Sequence, residues 1–206
     1  MDIFQTLINQ AISRGVSTEA IILFLLLPLV GTFVSAARYL VGIRGLGIFT
    51  PVMLAAVFWA TGLKPSLYLF LIMMVIVTLA RLVLRKVRLH YLARIAILFW
   101  FLCLVVLVAL LKTEVSLLSL LTLVMITQDF IKVQIGKTLR IAIRLSFETF
   151  ILSLGGMGLL SLGWLQRLAL AQPGVVILGT IILNFFIGRF TGLRLLEYRR
   201  FRRLLK

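Results

Sequence analysis

Seven apolar stretches, at 18–37, 46–63, 66–84, 92–111, 115–130, 141–162 and 174–190, are separated only by short charged or Gly/Pro-containing breaks. A helix needs about 20 apolar residues, with a range of about 17–25, to cross the hydrocarbon of a bilayer. The pattern therefore predicts an all-α fold, a polytopic membrane helix bundle of seven transmembrane helices. The stretch at 115–130 is short for a span, and that at 46–63 carries Pro51. The chain is 62% hydrophobic, and a soluble domain of 206 residues has no core large enough to hide that much apolar surface. The excess has to face lipid.

Charge supports the same reading. The net charge is +16, which in a soluble protein points to nucleic acid. Here the basic residues sit between apolar stretches, so no nucleic-acid partner is expected and the lipid bilayer is the first partner. With the N-terminus outside and strict alternation, eighteen of the 22 Lys/Arg residues fall on the cytosolic side. Arg14, Lys64, Lys112 and Arg167 remain outside, and an even number of spans would scramble that split. Trp59 and Trp164 fall near the outer ends, where interfacial indoles are expected.

Residues 1–17 form a separate unit ahead of the membrane domain at 18–206. Ile3, Phe4, Leu7, Ile8, Ala11 and Ile12 share one helical face against polar residues on the other, which predicts a short amphipathic helix lying in the interface. Ser17 or Thr18 is placed to cap the first span, with Glu19 in its first turn.

Few residues can carry chemistry. The one cysteine, Cys103, lies in an apolar stretch and the one histidine, His90, in a basic loop, so no intrachain disulfide and no Cys/His zinc site can be built. No nucleophile–base set is available either, so the chain reads as non-catalytic, with no cofactor and no metal expected. Three of the six acids, Asp129, Glu148 and Glu197, fall on the cytosolic half among basic residues. Arg140, Arg144 and Glu148 are spaced i, i+4, i+8 and share one helix face. A carboxylate two turns into an apolar stretch faces a partner or a wet cavity. Glu148 is thus read either as part of a polar path or as the partner of Arg144. Asn184, in the seventh stretch, is read as an intramembrane polar contact. Residues 127–137 are polar but amphipathic and predict a separate interfacial helix between spans five and six, with Asp129 as its cap or as the partner of Lys132. The segment from Gly42 to Pro51 holds Gly42, Gly45, Gly47 and a proline. It is read either as a broken, re-entrant start to span two, or as a tight loop with Thr50 capping a helix that has Pro51 in its first turn. Gly155, Gly156 and Gly158 offer a small-residue surface for close helix packing.

Three segments, GIRGLGIFTPVMLA (42–55), QDFIKVQIGKTLRIAIRLSFETFILSL (128–154) and NFFIGRFTGLRLLEYRRFRRLL (184–205), resemble the seven-helix membrane domains usually fused behind an inactive transglutaminase-like domain in bacteria. The last is the most specific, through Gly188, Arg189, Thr191, Gly192, Leu193, Arg194, Glu197, Arg200, Phe201 and Arg202. The resemblance covers nearly the whole chain after residue 18. A more distant likeness, through the Gly-rich start of span two, is to the small membrane subunit of poly-gamma-glutamate synthesis. Members of the family are associated with ATP-grasp amide ligases and a retropepsin-like protease. The resemblance thus implies a non-catalytic subunit of the bacterial inner membrane, N-terminus outside and C-terminus cytosolic. It would dock a cytosolic ATP-dependent amide ligase and assist synthesis or export of a peptide-like, polyglutamate-like anionic product. Arg189, Thr191, Arg194, Glu197, Arg200 and Arg202 would bind the partner or an anionic ligand. Only residues 1–17 precede the first span, so a separately encoded extracytosolic domain or a stand-alone version is expected. Two other readings are a transporter or channel using Glu148 and Asn184, and a structural or sensory anchor.

Overall fold

The computed structural model describes residues 3–84, 87, 90–110 and 117–190. Among these residues there are helices and no strand. They are α1 (Ile3–Ser13), α2 (Thr18–Ala36), α3 (Phe49–Thr61), α4 (Leu63–Leu84), α5 (Tyr91–Leu110), α6 (Leu117–Gly136), α7 (Leu139–Leu160), α8 (Gly163–Ala171) and α9 (Pro173–Gly188). Each of the seven apolar stretches forms a helix, α2 to α7 and α9, and the protein is an all-α membrane helix bundle. Phe24, Leu92 and Phe186 are 73, 77 and 68% exposed, as suits side chains turned to lipid.

The helices differ in reach. Thr18–Val41, Leu63–Leu84, Tyr91–Val108 and Leu139–Leu160 are long and apolar enough to cross a membrane. In the first of these, α2 is capped by Ser17, whose hydroxyl accepts the Ala20 N–H, and continues as a π-helical turn over Ala37–Val41. Helices α8 and α9 are bent by 110°. Between them Pro173 pushes Gln172 out of the helical region, to φ −137° and ψ 66°. The sequence reading had no helix at 163–171. Trp164 and Arg167 sit on α8 rather than in a loop.

Two departures bear on the site. Helix α6 runs unbroken to Gly136, so the expected separate interfacial helix at 127–137 does not exist. No Gly or Pro interrupts the segment before Gly136, and Phe130 and Ile131 are buried, so the apolar face simply continues. Helix α3 has 13 residues, about 20 Å of rise, against the about 30 Å of a hydrocarbon core. The second stretch therefore enters as a non-helical loop followed by a short helix.

Helix α3 is the centre of the bundle. From Thr50 to Phe58 every residue except Met53 is buried. On one side Phe58 packs with α4, α5 and α6 around Leu69, Met73, Leu98 and Leu123. On the other, Val52 and Ala55 join α2, α7, α8 and α9 around Leu26, Leu152, Leu165 and Val176. The α7 backbone comes close because Gly155 and Gly156 carry no side chain: a Cβ on Gly156 would stand 2.7 Å from Val30 Cγ1 and 2.9 Å from Ala55 Cβ.

Candidate functional site

The polar groups converge where α2 ends, α3 begins and α7 enters the bundle. The π turn places two N–H groups, of Gly42 and Ile43, on the Ala37 carbonyl at 3.0 and 3.3 Å. Gly42 then reverses the chain at φ +98°. From there the loop lies flat on α7. Gly45, at φ +51°, leaves no room for a side chain, since a Cβ there would stand 3.1 Å from Leu152 Cδ1 and 3.5 Å from Thr149 Oγ1.

Non-helical backbone needs substitutes for its missing helical hydrogen bonds. Helix α7 supplies the acceptors. Glu148 Oε2 accepts the N–H groups of Arg44 at 2.8 Å and Gly45 at 3.2 Å. Thr149 Oγ1 accepts the Leu46 N–H at 2.7 Å and donates to the Leu145 carbonyl at 2.8 Å. The end of α2 supplies the donor: Arg38 Nη2 donates to the carbonyls of Arg44 and, at 3.0 Å, of Gly47. Helix α6 holds the far end, where Thr50 Oγ1 donates to Asp129 Oδ2 at 2.7 Å.

This geometry revises the sequence reading at three places. Glu148 is close to Arg144, whose Nε donates to Oε1 at 2.8 Å, yet that side chain is 77% exposed while Glu148 is 15% exposed. The carboxylate's inward oxygen serves the loop, which a helix-face spacing of i, i+4 does not reveal. Asp129 is not a cap, because α6 continues through it; it joins Thr50 and pairs with Lys132 at 3.6 Å. Nor does Thr50 cap α3. Ile48 occupies the cap position with no side-chain bond, and Pro51 lies in the first turn.

Beside the loop is an open groove of about 280 Å³, lined by Gly45 and Gly47, by Asp129 and Lys132 of α6, and by Lys137 beyond it. Arg81 of α4 closes this corner by donating to the Lys137 carbonyl at 2.9 Å. Arg140, one turn before Arg144, is exposed. Below, Phe58, Phe70, Phe130 and Phe150 pack ring against ring, with centroids 5.2–6.3 Å apart.

Asn184 belongs elsewhere. Its Nδ2 donates to Thr32 Oγ1 at 2.6 Å and to the Thr180 carbonyl at 3.1 Å, joining α9 to α2. In a double-mutant cycle of Asn184→Leu and Thr32→Val, followed by unfolding in mixed micelles, a coupling of about 0.6–1.5 kcal/mol is expected. A coupling near zero would show that the bond adds nothing. The Arg189 guanidinium lies 4.4 Å from the centre of the Phe185 ring. Thr191, Arg194, Glu197, Arg200 and Arg202 lie outside the described residues.

Arg38 and Thr149 were missed as parts of the site. Each carried a signal: Arg38 is four residues before Gly42, and Thr149 adjoins Glu148. Glycines that break a helix imply stranded amides and carbonyls, and nearby polar side chains are the candidates to meet them.

What these side chains do is hold the non-helical segment between α2 and α3 in place, so fold and site define a membrane helix bundle organised around a clamped loop. A family model described as 7 transmembrane helices usually fused to an inactive transglutaminase matches residues 7–205, and the chain belongs to that family. Its seven helices agree with the seven apolar stretches. No curated protein and no solved structure matches the chain.

Proposed function

We propose that the chain is a non-catalytic membrane subunit whose basic end faces the cytosol, docks an ATP-dependent amide ligase and assists synthesis or export of a peptide-like product. One observation carries this reading: at this end both described acids are engaged within the bundle while four cations stand exposed. Asp129 and Glu148 are engaged by Thr50 and by the loop amides. Arg144, Lys132, Lys137 and Arg140 stand exposed. Such a face attracts an anionic partner. The orientation rests on the excess of Lys/Arg at this end, and the ligase on the family resemblance. The amphipathic α1 then lies in the outer interface, near the start of α9, where Phe4 approaches Gly174.

Co-purification from the native host in a gentle detergent, with mass spectrometry of bound proteins, tests this. Wild type is expected to carry an amide ligase, and Glu197→Ala, in the motif that the resemblance marks, at least about fivefold less of it. Absence of any ligase from the wild-type sample overturns the docking reading. The second reading, a transporter, draws support from the non-helical segment ahead of the short α3, since interrupted helices line substrate sites in transporters. Transport across reconstituted vesicles that is lost in Glu148→Gln would favour it.

A further inference from the structure

The groove between α6, the start of α7 and the loop has a composition that a protein partner does not require. Its polar side chains are Lys132, Lys137 and Asp129. Asp129 is already engaged, through Oδ2 by the Thr50 hydroxyl and through Oδ1 at 3.6 Å from Lys132. The two ammonium groups of Lys132 and Lys137 outnumber the one Asp129 carboxylate, so the groove keeps a net positive charge. Leu46, Val133 and Leu145 add apolar surface on the same groove. At Gly47 no atom lies within 4 Å of where a Cβ would stand, so the groove is open on the loop side. Directly after Gly47, at this basic end, come Ile48 and Phe49, 37 and 81% exposed. Apolar side chains standing out beside lysines need an apolar cover, and the acyl region of a bilayer supplies it.

We propose that this groove seats the phosphate headgroup of an anionic phospholipid between Lys132 and Lys137, with its acyl chains against Ile48 and Phe49. Lysine is a point-charge binder of phosphate. At about 280 Å³, the groove falls just under the roughly 300–1,000 Å³ of pockets for drug-sized ligands, which suits a headgroup better than a nucleotide. The groove shares Lys132 and Lys137 with the face proposed to attract the ligase, but it does not use the motif after Gly188, and lipid binding to the purified chain is read without any ligase.

The test uses the full chain, purified in a neutral detergent and titrated in native mass spectrometry with phosphatidylglycerol, phosphatidylcholine or glycerol 3-phosphate. Wild type is expected to bind phosphatidylglycerol at least about tenfold more tightly than phosphatidylcholine. Each basic residue near an anionic surface is worth about fivefold, so Lys132→Gln with Lys137→Gln should weaken phosphatidylglycerol binding about 25-fold. Lys132→Arg with Lys137→Arg keeps both charges and should stay within about threefold of wild type. The pair Lys64→Gln with Arg167→Gln, both exposed and outside the groove, removes as much charge and should also stay within about threefold. Equal weakening by the two Gln pairs would replace the site with diffuse attraction. Glycerol 3-phosphate binding as tightly as the lipid would make it a site for free phosphate. Equal binding of the two lipids would remove the site altogether. If the Lys→Gln pair fails to fold by circular dichroism, lysine acetylation of wild type decides: phosphatidylglycerol should protect Lys132 and Lys137, and no protection refutes the proposal.

Discussion

Replacing Glu148 with alanine is expected to lower the unfolding free energy by about 3 kcal/mol and to open the Arg44 peptide bond to trypsin. The carboxylate is the acceptor for two loop amides, those of Arg44 and Gly45. A hydrogen bond to a charged group contributes about 1.5–3 kcal/mol, and here two are lost at once, one exposed at Arg44 and one part-buried at Gly45. The Arg144 partnership adds little, because that guanidinium is 77% exposed and exposed ion pairs are worth about 0–1 kcal/mol. Arg144→Ala is therefore expected to cost under about 1 kcal/mol and to leave Arg44 protected. Glu148→Gln, which keeps a carbonyl oxygen for the amides, should fall between. Unfolding in mixed micelles and limited trypsin digestion of the three variants decide the matter. If Arg144→Ala proves as harmful as Glu148→Ala, the carboxylate serves the ion pair and not the loop.

That asymmetry marks where reading along the chain stops working. The apolar stretches, the cap at Ser17 and the amphipathic first helix were all legible, because each depends on residues within one or two turns of one another. Neither α8 nor its bend into α9 was read from the sequence, since nine residues containing Gln166 and Arg167 resemble a loop as much as a helix. The end of α6 was misread for a related reason. Its polar residues look like a boundary in sequence, whereas in space Phe130 and Ile131 carry the buried face onward. Glu148 was singled out as a costly carboxylate and Asp129 as a cap or ion-pair partner, with Arg144 and Lys132 named as neighbours within a turn. The loop amides that Glu148 accepts lie 103 and 104 residues away, and Asp129 meets Thr50 across 79. Those partners follow from how α3 lies against α6 and α7, and no local pattern encodes that.

The second large effect belongs to Gly156. Substitution by alanine is expected to cost about 2 kcal/mol and by valine about 3 kcal/mol, in the range for overpacking a tight interior. Ordinary contacts begin near 3.4 Å, and the new Cβ would lie 2.7 Å from Val30 Cγ1 and 2.9 Å from Ala55 Cβ. Val30 has a rotamer to change. Ala55 has none, because its Cβ is fixed to the α3 backbone, so relief requires α3 itself to move. Gly155 makes the contrast: a Cβ there meets the far end of the Phe33 ring at 2.7 Å, which can swing aside, so Gly155→Ala should cost less. Gly158, with nothing within 4 Å, should tolerate alanine and gain up to about 1 kcal/mol of helix propensity. Helix α3 also carries Thr50, whose hydroxyl meets Asp129 at 2.7 Å. A shift of α3 away from α7 pulls on both ends of the loop. Gly156→Ala is therefore expected to raise trypsin cleavage at Arg44 as well as to lower stability, whereas Gly158→Ala changes neither for the worse. Destabilisation by Gly156→Ala with Arg44 still fully protected would mean that the loop is held by Glu148 and Arg38 alone, independently of how α3 is seated.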